Sequence, residues 1–368
     1  MKFSIQRELL LKPLQTIATV VERRQTLPVL SNILISVRSN RLSMTATDLE
    51  VEMVADIPLD RGDEGDITLP ARKLVDICRA LPEGVDIHFD IDTEKARAVI
   101  KSGKSRFTLA SLPAAEFPNI DDIKGVYDFS ISQGILKRLM DKTQFAMAQQ
   151  DVRYYLNGLL IEVTNNTVRA VATDGHRLAM CKHEADVSPE QVIQVILPRK
   201  GVVELSRLLS DSNGSAKITI GNNHIRITLE EYVFTSKLID GRFPDYERVI
   251  PKNSDKLVAA DKELMRQALV RTSILSNEKY RGIRLRLESG LIQAQANNPE
   301  MEEAEEAIEV KYSGAAMEIG FNVSYLLDAL GAIDTEEVNL ALGDSNSSCV
   351  VTPAVNGDCT YVIMPMRL

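Results

Sequence analysis

Apolar positions at helical spacing follow the dipeptide Leu69-Pro70, at Leu74, Ile77, Cys78 and Leu81, and predict a helix with one buried stripe. The same pattern follows Leu197-Pro198, at Val202, Leu205 and Leu209, and returns at Leu326, Ala329, Leu330 and Ile333. An earlier helix is expected to open each third of the chain, with Ser132 and Asp261 as N-caps in the second and third and Pro13 an awkward residue in the first. Alternating runs such as Ile87-His88-Phe89-Asp90-Ile91, Arg106-Phe107-Thr108-Leu109 and Ala216-Lys217-Ile218-Thr219-Ile220 predict strands. The sum is an α+β chain, with helices on one face of mostly antiparallel sheets and the other faces and edges left for contact.

The elements recur because the sequence repeats. Phe3-Ser4-Ile5 returns as Phe129-Ser130-Ile131, Ala46-Thr47-Asp48 as Ala172-Thr173-Asp174 and Phe117-Pro118 as Phe243-Pro244, all at an offset of 126. Leu69-Pro70 returns as Leu197-Pro198 at 128. A weaker third copy starts from the strand-like Ile33–Val37, which matches Leu159–Val163 and then Ile283–Leu287, the last step being 124. The segments after each Phe-Pro are charged or contain proline and read as linkers, which divides the chain into domains over 1–125, 126–253 and 254–368.

With 44% hydrophobic and 26% charged residues in 368, the composition is globular, and the formal charge of −9 argues against a globally basic nucleic-acid binder. It leaves room for a basic stripe. The polar face of the helix after Leu69-Pro70 carries Arg72, Asp76 and Arg79, and the second copy repeats the spacing as Lys200, Glu204 and Arg207. Lys73, Arg199, Lys137, Arg138 and Lys142 add positive charge, whereas the third copy has Ser324 and Asp328. No apolar run approaches the roughly 18 residues of a membrane helix and the N-terminus lacks signal-peptide character, so no membrane partner and a cytoplasmic location are expected. Cys78, Cys181, Cys349 and Cys359 lack a C-x-x-C pair and are expected to be reduced thiols.

Few residues suggest chemistry. His88, His176, His183 and His224 share no ligand spacing, so no metal or cofactor is expected. Asp174, His176 and Arg177 could be drawn as the acid, base and anion clamp of a soluble hydrolase. The first copy has Thr47-Asp48-Leu49-Glu50 at that place and the third Asn297-Asn298-Pro299-Glu300, which favours a shared structural turn specialised for binding in the second. The apolar end, Tyr361 to Leu368, is expected either to dock a partner or to complete the last sheet.

Together these residues resemble the bacterial DNA polymerase III beta subunit, the family of replicative sliding clamps. The likeness runs through Thr26-Leu27-Pro28, Gln150 to Gly158, Ala172 to Leu178, Asp240 to Tyr246, Phe321 to Tyr325 and the terminal Met-Pro-Met-Arg-Leu. It implies three tandem clamp domains per chain, a head-to-tail homodimer ring around duplex DNA, and no catalysis. The implied partners are the polymerase III alpha subunit, the clamp loader, and other DNA polymerases and repair proteins that carry a clamp-binding peptide. Size agrees: a 120-residue domain is roughly 35 Å across, so three in a ring leave a hole of about 5 Å and six leave about 35 Å, against about 20 Å for duplex DNA.

Carried over residue by residue, the resemblance implies sequence-independent DNA contacts at Arg24, Gln150, Tyr154 and Tyr155, to which the basic stripe adds Arg72, Lys73, Arg79, Lys137, Lys200 and Arg207. It implies a partner-peptide pocket between the second and third domains. It takes in Leu156, Thr173, Gly175, His176, Arg177 and Leu178, with Pro244, Arg248 and Val249. The rest comes from Asn322, Tyr325, Asn346, Ser348, Val362, Met364, Pro365, Met366 and Arg367; Asn346 departs from the family pattern, which has an apolar residue there. At the ring seam, Phe107 and Leu109 are expected to meet Ile274 and Leu275, while Lys104 and Arg106 face Glu302, Glu303, Glu305 and Glu306.

Overall fold

A computed structural model describes residues 1–22, 27–118, 120, 124–355 and 357–367. Among the described residues, six helices stand where the pattern requires two per copy: α1 (Arg7–Ile17), α2 (Ala71–Ala80), α3 (Gln133–Asp141), α4 (Arg199–Leu208), α5 (Lys262–Ser273) and α6 (Val323–Ala332). The expected stripes are buried, with Leu74, Cys78, Leu205, Leu326 and Leu330 in the core. Asp261 caps α5 by accepting from the Leu264 N–H at 2.8 Å, and Ser132 Oγ accepts from the Ile135 N–H at 3.3 Å. Pro13 lies inside α1 without ending it.

Every registered strand pair is antiparallel, and the described strands form two eight-stranded and two four-stranded sheets. The chain packs as two compact units, Met1–Leu136 with Val203–Leu238, and Lys137–Val202 with Ile239–Leu368. In the first unit, one eight-stranded sheet joins four strands of the first copy (Gly65–Pro70, Asn32–Arg38, Arg41–Thr47, Val51–Pro58) to four of the second (Tyr232–Lys237, His224–Thr228, Ser215–Gly221, Gly125–Ser132). In the other, the second copy's remaining strands (Ile193–Pro198, Gly158–Thr164, Thr167–Thr173, Arg177–Glu184) continue into the third copy's (Cys359–Ile363, Cys349–Pro353, Glu337–Leu342, Lys256–Asp261). Each copy is therefore joined to the next by one strand pairing, Val51–Pro58 with Tyr232–Lys237 and Arg177–Glu184 with Cys359–Ile363.

The second of these seams overturns one expectation. Cys181 and Cys359, 178 residues apart, are joined by a disulfide, because the register that brings the last strand beside Arg177–Glu184 sets them directly opposite each other with Cα atoms 4.1 Å apart. Cys78 and Cys349 are free thiols as expected, and burial pushes each up to about 12. Ion pairs reinforce the same seam, Lys142 with Asp334 and Arg138 with Asp358.

At the first seam, Glu52 is buried, and its desolvation raises the carboxyl above the ordinary value of 4.5, against the Ile120 N–H and the Arg226 charge that oppose the shift. A carboxyl with a raised folded pKa binds its proton more tightly in the folded state than in the unfolded state. Its contribution is therefore full below 4.5 and is lost as pH rises through the folded value. Glu52→Gln is expected to remove this component and to raise unfolding stability at neutral pH. Urea melts across pH 4–8 check it, and parallel wild-type and variant curves would contradict it.

Candidate partner pocket and charged surfaces

The turn that sequence reading singled out is a repeated structure, hydrogen bond for hydrogen bond. In the first copy, Asp48 Oδ1 accepts from the Glu50 and Val51 N–H groups at 2.9 and 2.7 Å, and Thr47 Oγ1 donates to the Val51 carbonyl at 2.9 Å. In the second, Asp174 Oδ1 accepts from His176 and Arg177 at 2.9 and 3.0 Å, and Thr173 Oγ1 donates to the Arg177 carbonyl at 2.6 Å. The residue after the aspartate is left-handed in both, Leu49 at φ 78° and Gly175 at φ 88°. The first copy tolerates a side chain there. At Gly175 a Cβ would lie 2.8 Å from Arg153 Nη1, so glycine is what allows Arg153 to close over the turn and donate to the Asp174 carbonyl at 3.2 Å.

These bonds exclude the hydrolase reading. One Asp174 oxygen is held by backbone N–H groups, the other accepts from Arg177 Nε at 3.1 Å, and His176 stands exposed, so these three residues assemble no acid–base pair. Arg177 is a clamp instead. Its other nitrogens donate to Asp328 and to the Phe145 carbonyl, and its guanidinium lies over the Tyr325 ring at 4.5 Å from the centroid. The second copy's turn is thereby fastened to α6 of the third.

Beside this clamp lies an apolar cavity of about 160 Å³. Of the residues expected to form a pocket, Leu156, Thr173, Gly175, Arg177, Leu178, Pro244, Val249, Val362 and Met364 line it. The others are not part of the lining. Asn322 caps α6 through the Ser324 N–H at 2.9 Å, Tyr325 supports Arg177, and Arg248 is exposed and paired with Asp245 at 2.8 Å. Asn346 is exposed in a turn organised by Asp344, and Ser348 precedes the strand Cys349–Pro353. The tail runs on past the last strand, with the Met364 N–H on the His176 carbonyl and the Met366 N–H on the Gly320 carbonyl, both at 2.9 Å; Pro365 lies between them and Arg367 is exposed. The reading of the C-terminus as a last strand therefore holds, and the same segment goes on to line the cavity.

Four lining residues escaped sequence reading as pocket residues: Arg153, Asp245, Tyr246 and Tyr155, the last expected at DNA. Tyr246 is 5% exposed and belongs to the cluster of Leu160, Val171, Leu178, Ile196, Phe243 and Val362, so the supposed linker after Phe243-Pro244 is partly core. Burial, with the hydrogen bond to Glu162, pushes its phenol up to about 12. Arg153 forms a two-point pair with Asp151, at 3.0 and 2.8 Å, which holds the half-buried Asp151 carboxyl down at about 2. A larger open groove of about 970 Å³ lies in the first copy, where Asp60, Asp63, Asp86, Asp90, Lys2 and Arg61 line it together with Phe3, Ile5, Leu9 and Phe89.

On the charged faces, Arg72, Lys73, Arg79 and Arg207 are exposed, as are Gln150, in a left-handed turn at φ 55°, and Tyr154, whose ring meets Tyr155 edge-on. Lys200 is half-buried, and Lys137 pairs with Asp141 at 2.9 Å. Arg24 lies outside the described residues. One expectation fails: Glu204 does not share the solvated face of Lys200 and Arg207 but is 5% exposed, drawn in with Arg207 Nη1 donating to it at 3.0 Å.

At the expected seam between chains, Ser105–Ala110 ends one four-stranded sheet and Glu303–Glu309 ends the other. Lys104, Arg106, Glu302, Glu303 and Glu305 are exposed, Phe107 and Leu275 are half-buried, and Ile274 is 72% exposed at the end of α5. Two residues depart from expectation. Leu109 points into its own sheet's core at 8% exposure, and Glu306 accepts a two-point pair from Arg271 on α5, at 2.6 and 3.1 Å, because strand alternation turns it to the helix side.

Comparison with known proteins places this geometry. Family models of the DNA polymerase III beta subunit match in order, the N-terminal domain over residues 1–121, the central domain over 130–245 and the C-terminal domain over 247–367. The chain is 59% identical to the beta sliding clamp of Pseudomonas aeruginosa and 52% identical to that of Escherichia coli, each over all of both chains. Among solved structures it is similar to a Pseudomonas aeruginosa sliding clamp bound to griselimycin, at TM-score 0.97 and 58% identity over the full length of both. A Caulobacter crescentus polymerase III beta structure follows at TM-score 0.95 and 39% identity, again over both full chains. The chain belongs to the DNA polymerase III beta subunit family, the sliding clamps of bacterial replication.

Proposed function

We propose that two copies of this chain, each with domains over 1–125, 126–253 and 254–368, close head to tail around duplex DNA as a non-catalytic sliding clamp. The observation that carries the reading is the pair of unlike sheet edges, a basic one at Ser105–Ala110 in the first copy and an acidic one at Glu303–Glu309 in the third. Unlike ends that join heterologously close a ring once the rotation is completed, here at two subunits. Arg72, Lys73, Arg79, Lys137, Lys200 and Arg207, with Arg24, Gln150, Tyr154 and Tyr155, make weak sequence-blind phosphate contacts, since tight binding would brake sliding. The ring works in the cytoplasm.

The apolar cavity beside Arg177 takes the hydrophobic anchors of short peptides from the polymerase III alpha subunit, the clamp loader and other polymerases and repair proteins. Its rim draws on His176, Arg248, Asn322, Asn346, Ser348, Pro365, Met366 and Arg367. Griselimycin, to which the Pseudomonas relative is bound, is the ligand we assign to this cavity, so calorimetric titration with it is expected to show one site per chain. A titration without binding would remove the pocket assignment.

For the DNA face, alanine at Arg72, Lys73, Lys200 and Arg207 is expected to lower the slope of log affinity against log salt by about 3 to 4, at about 0.9 for each phosphate no longer neutralised. Fluorescence anisotropy on a short duplex between 20 and 200 mM salt reads the slope. An unchanged slope would move the DNA face elsewhere.

A further inference from the structure

The second copy carries a buried polar network directly beneath the pocket wall. Tyr246 donates its hydroxyl to Glu162 Oε1 at 2.8 Å, Arg169 Nη1 donates to the same oxygen at 3.0 Å, and Gln194 Nε2 donates to Glu162 Oε2 at 2.6 Å. Arg169 also reaches the Tyr246 hydroxyl at 3.2 Å. Glu162 is 4% exposed. The three sheet residues stand side by side on neighbouring strands, Glu162 opposite Arg169 and opposite Gln194.

The repeat supplies an internal control. At the corresponding register positions of the first copy, Ser36 stands opposite Ser43 and opposite Asp66, and Ile120 replaces Tyr246 in the segment after Phe-Pro. The turn at Asp48 repeats that at Asp174, but Ile120 is held through its backbone, its N–H donating to the buried Glu52 at 3.4 Å, whereas Tyr246 is held through its side chain. Burying charge is costly unless each group is paired, and here both oxygens of Glu162 are. What the network adds is a fixed point. Tyr246 begins the short helical turn Tyr246–Arg248, and its neighbours Pro244, Asp245 and Val249 line the cavity with it.

We infer that Glu162, Arg169 and Tyr246 are positioning residues for partner binding, a role that rests on the pocket assignment above: the Tyr246–Glu162 bond pins the 244–249 segment at the height the cavity requires. Apolar side chains alone would let that segment slide over the sheet, whereas a single short hydrogen bond to a buried carboxylate has one satisfied geometry.

The test is griselimycin titration of the full-length dimer in four variants, with thermal melts and sedimentation alongside. Tyr246→Phe removes one hydroxyl and is expected to weaken binding about fivefold, the effect of one net hydrogen bond. Glu162→Ala is expected to do at least as much. Glu162→Gln keeps a carbonyl acceptor for the phenol and is expected to bind within twofold of wild type, a rescue that general destabilisation would not give. Ser36→Ala, at the matching place in the first copy, is expected to leave affinity unchanged. Wild-type affinity in Tyr246→Phe, or equal losses in Glu162→Gln and Glu162→Ala, overturns the inference while the pocket stands. If Tyr246→Phe does not fold, the contrast between the two Glu162 variants decides alone. No binding by the wild-type chain overturns both.

Discussion

Alanine at both Ile274 and Leu275 is expected to convert the dimer to monomers. Ile274 follows α5 as its C-cap with 72% of its surface in water, and Val270, one turn earlier, is also exposed, so a single chain leaves an apolar patch beside the acidic edge strand. Covering such residues stabilises an assembly by about 1.5–3 kcal/mol each when burial is complete, and truncating a packed Ile or Leu to alanine costs about 2–5 kcal/mol. A two-chain ring contains the seam twice, so even the low end sums to several kcal/mol, or some thousandfold in the dissociation constant. Because Ile274 touches little of its own chain and Leu275 is half-buried, the melting temperature of the monomer should fall only modestly. Sedimentation at sub-micromolar concentration reads the result, and a double variant that stays dimeric would show that the seam lies elsewhere.

Removal of Met364 to Leu368 is expected to abolish peptide binding and leave the dimer intact. Met364 is a lining side chain, and its N–H, like that of Met366, ties the tail to the turn at His176 and to the strand ending at Asn322. The last strand itself, Cys359–Ile363, is kept, together with its pairing to Arg177–Glu184 and the disulfide beside it. Griselimycin affinity should fall beyond measurement while sedimentation is unchanged. Loss of dimer and ligand together would make the tail part of the fold rather than part of the site.

Much of this architecture was legible because the sequence repeats. The offset of 126 predicted that Asp48 and Asp174 occupy the same turn, and the bonds agree to within a few tenths of an ångström. Helical stripes such as Leu326, Ala329, Leu330 and Ile333 were equally plain, because burial there follows a local period. What escaped depends on neighbours distant in the chain. Glu204 has the spacing of a surface residue, and only its packed surroundings reveal that it is buried. Tyr246 sits in a charged, linker-like stretch, and nothing local announces a buried carboxylate 84 residues earlier. The Cys181–Cys359 bond spans 178 residues and follows from a register that no pattern of cysteine spacing encodes. At the cavity, sequence reading placed Leu156, Thr173, Gly175, Leu178, Val249 and Val362 on the lining, and it missed Asp245 and Tyr246 in the loop after Phe243-Pro244 and Arg153 and Tyr155 before Leu156.

Topological linkage to DNA is the central claim, and retention on circular against linear DNA tests it most directly. The protein is loaded by its clamp loader onto a nicked circle, moved into about 0.5 M salt, where phosphate binders lose most of their affinity, and the circle is then cut once. A ring should persist on the circle through the salt step and leave within seconds to minutes of the cut, because its only escape is over a free end. Equal loss from circular and linear DNA as salt rises would mark a surface binder and would contradict the encircling ring.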